Sequence, residues 1–163
     1  MYLQNKHNLY AGEVIGDAKS VMTRGVDVPA GSTDKEYPRG TVVYMKDGIA
    51  YPCKQRDTPY GVVYSNINIT QFTNAERLIN GTPEAVDVVV EGVIAVKCKD
   101  TKFTPNVGDY VDIQGRRVSS GIVLGVCDAV GQDTAGNTNV AVRIHVQTLP
   151  SVSVESKSKK EEI

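Results

Sequence analysis

The sequence is poor in the residues from which most catalytic and metal sites are built. It contains only two His, three Cys and no Trp among 163 residues. His7 and His145 lie far apart along the chain, and no two cysteines form the close pair typical of a zinc site. Phosphate-loop, nucleophile-elbow and HExxH motifs are also missing. We therefore expect no catalytic, cofactor-binding or metal-binding residues, and we predict that the chain is not an enzyme.

An excess of charge of one sign is missing too. The chain carries 18 basic and 19 acidic residues, for a net charge of −1. Nucleic-acid-binding proteins normally show a basic excess, so we expect no nucleic acid partner. No apolar run approaches the roughly 20 residues that span a bilayer, and the N-terminus lacks a signal-peptide run, so we expect no membrane partner. The odd number of cysteines is typical of reduced residues in a chain that folds in a cytoplasm.

The apolar residues that are present are mostly β-branched. The sequence has 25 Val and 10 Ile against 5 Leu, with 15 Gly and 7 Pro between the apolar runs. β-Branched side chains suit the pleated surface of a sheet, whereas helical cores favour Leu. We predict an all-β fold, either a small barrel or a two-sheet sandwich, and exclude a helical bundle.

The chain divides into three segments. Residues 1–10 lack periodicity and are predicted to form a flexible N-terminal arm. Residues 11–149 alternate short apolar runs with turn clusters and form the predicted barrel or sandwich domain. Residues 150–163 are rich in Ser, Lys and Glu, which predicts a disordered polar tail. The only credible helix, at Thr73–Asn80, is short and peripheral.

One long strand is predicted at Val86–Cys98, where apolar residues alternate with charged ones. Val89, Val93 and Ala95 interrupt the otherwise polar face of this strand. They either pack within the chain or form a contact between subunits, and they are our candidate subunit-contact residues.

Two further strands are marked by their turns and their alternation. Asp47 and Gly48 separate the apolar runs Thr41–Met45 and Ile49–Tyr51, which predicts a tight hairpin. In the last strand, alternation with valine and isoleucine places His145 on the outward face.

Two segments share an order of features. A glycine-led strand at Gly40 is followed by a tight turn and a second glycine-led strand at Gly61. The same order begins again at Gly108, a little under seventy residues later, with its second strand at Gly121. Either an internal duplication or the general likeness of β-hairpins explains this similarity between the two segments.

Tyrosine is unevenly distributed, since seven of the eight lie within the first 64 residues. Tyrosine is enriched at protein interfaces because it joins a large apolar ring to a polar group. The first third of the chain is therefore either a docking surface or a set of half-buried strand residues.

A series of short glycine- and valine-rich motifs runs from Ala11 to Ile144. In order they are AGEVI, VPAG, GTVV, GIA, YGVV, VVVEGV, VGDYV, GVCDA and NVAVRI. Their order and spacing, over residues 11–147, resemble the small all-β capsid decoration (cement) and head-fibre proteins of tailed bacteriophages.

The resemblance implies a non-enzymatic virion structural protein that binds the outer surface of an assembled phage capsid and stabilises it. It implies the major capsid protein as partner, a homotrimeric state, and a location on the capsid exterior. The N-terminal arm would contact the capsid by strand addition, with Tyr2, Leu3, Leu9 and Tyr10 as candidate capsid-contact residues. We expect deletion of residues 1–10 to spare folding but weaken attachment.

Two other functions remain open. A phage fibre or adhesin module that recognises a host-surface glycan would fit the long insertion at residues 66–83 and the polar tail. A small trimeric β-barrel hydrolase would place Asp109 or Asp128 in a site between subunits. These two residues, with Asp112 and Asp133, form carboxylate pairs that are more typical of turns than of acid–base chemistry.

Overall fold

The computed structural model describes residues 8–16, 21–66 and 84–150 and confirms the all-β prediction. In these ranges it contains a closed barrel with strand order β2-β4-β3-β5-β6 and an open sheet with order β1-β7-β10-β9-β8. A 3-10 helix lies between β7 and β8. The elements are β1 (Val14–Ile15), β2 (Met22–Asp27), β3 (Val42–Lys46), β4 (Ile49–Pro52), β5 (Gly61–Ser65), β6 (Ala85–Glu91), β7 (Val93–Lys97), the 3-10 helix (Thr101–Phe103), β8 (Tyr110–Val111), β9 (Gly121–Gln132) and β10 (Thr138–Leu149).

Two predictions lie wholly or largely outside the described residues. The helix at Thr73–Asn80 falls between residues 66 and 84. The polar tail follows Pro150, the last residue that the structure describes.

The predicted hairpin is confirmed. β3 and β4 pair in antiparallel fashion up to Lys46 and Ile49, which flank the two-residue turn. Asp47 and Gly48 have φ angles of 52° and 79°. Positive φ at both central residues defines the type I′ turn, whose twist matches that of the strands it joins. His145 is exposed on β10, as its place in the alternation predicts.

The long strand predicted at Val86–Cys98 is divided in the structure. Gly92, with φ 115°, separates β6 from β7. β6 pairs with β2 and β5 in the barrel, whereas β7 pairs with β1 and β10 in the open sheet. The prediction of one continuous strand is therefore wrong, because the backbone at Gly92 carries the chain from one sheet into the other.

The period-two alternation of the valine-rich strands supplies two cores. Val43 and Val63 face the inside of the barrel, while their neighbours Val42 and Val62 face a core that also contains open-sheet residues. The barrel core comprises Val26, Val28, Tyr37, Val43, Ala50, Val63, Val86 and Val88. The core between barrel and sheet comprises Val42, Val62, Val89, Ile94, Val96, Cys98, Val111, Leu124, Cys127, Val140 and Val142.

A third cluster lies on the other face of the open sheet and explains the apolar patch on the long strand. Leu9 packs there with Val93, Ala95 and Ala141. Val89, Val93 and Ala95 are 0%, 5% and 0% exposed within the single chain. The expectation that these three residues form a subunit contact is corrected: both sides of the strand are covered by the chain's own elements.

The two similar segments, which begin at Gly40 and Gly108, share a hydrogen-bonding pattern. The N–H of Gly40 donates to Val63 O at 2.7 Å, and the N–H of Val63 donates to Thr41 O at 2.8 Å. In the second segment the N–H of Gly108 donates to Cys127 O at 2.9 Å, and the N–H of Cys127 donates to Asp109 O at 2.8 Å. The likeness therefore extends beyond hairpins in general to the same backbone bonds.

The strand order repeats as well. In the barrel, β3-β5-β6-β2 are consecutive neighbours, and in the open sheet β8-β9-β10-β7 are consecutive neighbours in the same chain sense. The return strand β4 has its counterpart in Arg117, which bridges Val111 on β8. The described residues thus form two similar units, the five-strand closed barrel and the five-strand open sheet, which share this four-strand order and are joined at Gly92.

Candidate interaction surface

A groove of about 700 Å³ lies beside β8. Two exposed aromatic rings, Phe103 and Tyr110, line it together with Arg117 and Leu149. Phe103 is 43% exposed and Tyr110 is 39% exposed. We call this feature the β8 groove.

Local hydrogen bonds stabilise the side of the β8 groove that contains Phe103. Asp100 begins the 3-10 helix, and its Oδ1 accepts a hydrogen bond from the N–H of Lys102 at 3.1 Å. Phe103 O accepts from the N–H of Arg117 at 2.7 Å, and the Arg117 guanidinium carbon lies 5.6 Å from the centre of the Phe103 ring. A cation at this distance over an aromatic face is attracted to it. Phe103 is therefore held in place although it is partly exposed.

A hydrogen bond to a side chain also stabilises the loop that precedes β8. Asp109 Oδ2 accepts a hydrogen bond from the N–H of Asn106 at 2.8 Å, and Gly108 adopts φ 95°. This turn presents Val107 to solvent, where it is 72% exposed. Contiguous exposed apolar side chains mark interaction sites more often than isolated ones do. Val107 does not line the β8 groove but directly precedes Gly108, which does, and the groove and Val107 together are the candidate interaction surface.

Sequence reasoning missed Phe103 and Val107. Each is a single apolar residue within a polar stretch, so neither contributes to any strand or helix period. One signal was available in the position of this stretch, which follows Cys98 and precedes the glycine-led strand at Gly108. An apolar side chain between these two strands has no sheet face to occupy.

The predicted capsid-contact residues have different environments. Leu9 is only 5% exposed; its N–H donates to Gln132 O at 3.1 Å, and its carbonyl accepts from Asn139 Nδ2 at 2.8 Å. Leu9 is therefore part of the fold, which corrects its place both in a flexible arm and among capsid contacts. Tyr10 is 43% exposed, and Tyr2 and Leu3 lie outside the described residues.

The tyrosines of the first third are mostly structural. Tyr37 is 2% exposed and donates its hydroxyl hydrogen to Ala50 O at 2.7 Å. Tyr44 and Tyr51 pack against each other with ring centres 5.7 Å apart. Tyr60, at 38% exposed, is one of the few that present their ring to solvent.

The carboxylate pairs serve turns and ion pairs. Asp112 holds Arg116 through two side-chain hydrogen bonds of 3.1 and 3.0 Å, and Asp128 pairs with Arg143 at 3.1 Å. Asp133 closes the turn before β10, and the hydrogen bond from the Asn137 side chain holds its pKa below the usual range. Among the described residues, no group of three or more His, Cys, Asp and Glu is arranged to hold a metal ion.

Burial also raises the pKa values of two cysteine thiols. Desolvation raises the pKa of Cys53 to about 12 and that of Cys127 to about 11. Thiolate is the reactive form of cysteine, so both residues remain protonated and weakly nucleophilic at neutral pH.

Comparisons of the chain with protein-family models, with curated proteins and with solved structures found no match. Within the described ranges, no helix has the length and apolar character needed to cross a bilayer.

Proposed function

We propose that the chain is a non-enzymatic virion structural protein that binds the outer surface of an assembled phage capsid and stabilises it. The observation that carries the proposal is the β8 groove: two exposed aromatic side chains whose backbone is held by local hydrogen bonds. Apolar and aromatic residues of this kind form the centre of protein interfaces. The order of motifs over residues 11–147, which resembles decoration and head-fibre proteins, supports the major capsid protein as the proposed partner.

The stabilisation follows from mass action. A protein that binds the assembled shell but not its separate subunits shifts the equilibrium toward the shell. If three copies associate, as in the homotrimer that the resemblance implies, weak individual contacts combine into a strong attachment to the capsid exterior. Because Val89, Val93 and Ala95 are buried within the chain, the trimer contact must use other residues. Light scattering over a dilution series measures the oligomeric state directly.

The test of the groove is a sedimentation assay with assembled shells of the major capsid protein and with its unassembled subunits. We expect the wild-type chain to pellet with shells only. Tyr110→Ser should weaken this binding roughly tenfold or more, since a central interface tyrosine commonly contributes about 2 kcal/mol. Tyr60→Ser is the matched control, because Tyr60 is equally exposed at 38% but lies outside the groove. Equal effects of both substitutions would contradict a docking role for the β8 groove.

A second candidate function, recognition of a host-surface glycan, is favoured by one observation. The groove places the Tyr110 ring beside polar groups of Asp109 and Arg117. Sugar rings commonly bind where an aromatic face adjoins hydrogen-bonding side chains. Binding of the isolated chain to a glycan array, lost in Tyr110→Ser, would support this function over capsid attachment.

A further inference from the structure

A second cavity, of about 340 Å³, lies between the barrel and the open sheet. Its barrel side includes Arg39 and Val42, and its sheet side includes Val96, Lys97 and Lys99. We call it the barrel–sheet cleft. It is separate from the β8 groove, with which it shares no lining residue.

The rim of the cleft is cationic. Arg39, Lys97 and Lys99 are all exposed, and none of the described residues that line the cleft is acidic. The ion pairs between described residues are Arg116–Asp112 and Arg143–Asp128, so neither lysine is paired within the described part of the chain. Three cations from two separate segments thus converge on one opening in a protein whose net charge is −1.

Three carboxylates that lie near the cleft in the sequence take part in hydrogen bonds within their own turns. Asp57 Oδ2 accepts from the N–H of Lys54 at 2.7 Å. Asp100 Oδ1 accepts from the N–H of Lys102 at 3.1 Å, and Asp112 binds Arg116. These bonds hold the three carboxylates in their own turns, and within the described residues no ion pair joins any of them to Lys97 or Lys99.

Arg39 is fixed in position. Its Nε donates to Tyr64 O at 2.9 Å and its Nη2 donates to Gly12 O at 3.1 Å. Gly12 permits this arrangement, because a Cβ there would overlap the Cβ of Arg39. A cation that is already ordered loses little side-chain entropy when a ligand binds, which raises the affinity that its charge provides.

The floor of the cleft is apolar. Val42 is 6% and Val96 is 1% exposed, and the partly buried side chains of Cys53 and Ile113 extend this surface. A ligand that matches both features carries negative charge at its ends and an aliphatic group between them. We propose that the barrel–sheet cleft binds an extended acidic peptide segment of a partner protein, with one aliphatic side chain on the floor and carboxylates at Arg39, Lys97 and Lys99. The proposal goes beyond capsid attachment and does not require it.

The experiment uses the full chain and the probe peptide Ac-Asp-Glu-Leu-Asp-Glu-NH2, with amide chemical shifts measured by NMR. We expect shifts at residues that line the cleft, and binding that weakens as NaCl is raised from 50 to 300 mM because salt screens exposed charges. Lys97→Gln/Lys99→Gln should weaken binding roughly fivefold, as two exposed ion pairs would. Lys35→Gln/Lys46→Gln, at two exposed lysines outside the cleft, is the matched control and should leave it unchanged.

Peptide variants test the two parts of the proposal separately. Replacing the central Leu of the probe by Ser should weaken binding, and Ac-Lys-Lys-Leu-Lys-Lys-NH2 should not bind. The proposal is overturned if no cleft residue shifts at millimolar probe, if both lysine variants lose affinity equally, or if the basic peptide binds as well as the acidic one. Complete displacement of the probe by equimolar inorganic phosphate would also overturn it, since the cleft would then be a small-anion site. None of these outcomes depends on capsid binding.

Discussion

Gly61 and Gly125 occupy equivalent positions in the two halves of the chain. Gly61 on β5 pairs with Val43 on β3, and Gly125 on β9 pairs with Val111 on β8. A Cβ at Gly61 would lie 2.7 Å from the carbonyl oxygen of Val89 on the next strand, and a Cβ at Gly125 would overlap the carbonyl oxygen of Arg143. Both units therefore require a glycine where a neighbouring backbone passes close to the middle strand.

The first prediction concerns this close approach. Gly125→Ala should lower the free energy of unfolding by about 3 kcal/mol, because the added methyl group cannot fit without moving β10. Gly25→Ala is the matched control: its Cβ would meet only Asp87 Oδ1, at 3.4 Å. We expect that change to alter stability by less than about 1 kcal/mol. Urea unfolding measures both, and equal losses would contradict the close approach of β10 to Gly125.

A second prediction concerns the N-terminal segment. Leu9→Ala should cost about 2 to 3 kcal/mol, since it removes a buried side chain that packs on the open sheet. Tyr10→Ala, at an exposed neighbour, should change stability by no more than about 0.5 kcal/mol. By the same argument, deletion of residues 1–10 should destabilise the fold, contrary to the expectation from sequence. Urea midpoints that are unchanged for Leu9→Ala would show that this segment does not pack as described.

The third prediction concerns alkaline pH. Burial raises the pKa of Cys53 to about 12 and of Cys127 to about 11 from a usual value of 9.0. Above pH 9 the unfolded chain ionises these thiols while the folded chain does not, so their stabilising contribution is full below pH 9 and declines as the pH rises toward 11. Cys53→Ala/Cys127→Ala should show a shallower fall in unfolding free energy between pH 9 and 11 than the wild type. Parallel curves would contradict this.

Much of the fold could be predicted from the sequence because the relevant signals are local. Asp47 and Gly48 specify their turn through backbone preferences alone, and the valine alternation specifies strands. The repeat was visible in the positions of Gly40 and Gly108, although only the hydrogen bonds distinguish it from ordinary hairpins. Signals of this kind depend only on neighbouring residues, so they can be interpreted before the tertiary structure is known.

The remaining features depend on how elements far apart in sequence meet. Whether Val93 faces a partner or the chain itself is decided by Leu9, which arrives from more than eighty residues away. The presence of Gly92 does not indicate that the chain passes from one sheet to the other there, since a glycine within a strand is equally typical of a bulge. The β8 groove arises because Arg117 and Leu149 converge beside Phe103, a meeting for which no sequence period exists.

Stabilisation of an assembled capsid is the function that we propose for this chain. The most direct test is the temperature at which shells of the major capsid protein come apart, measured as the concentration of the chain is raised. We predict that this temperature rises and reaches a plateau when the binding sites on the shell are filled, and that Tyr110→Ser needs a higher concentration to reach it. A disassembly temperature that stays constant while the chain is bound at saturation would contradict the claim.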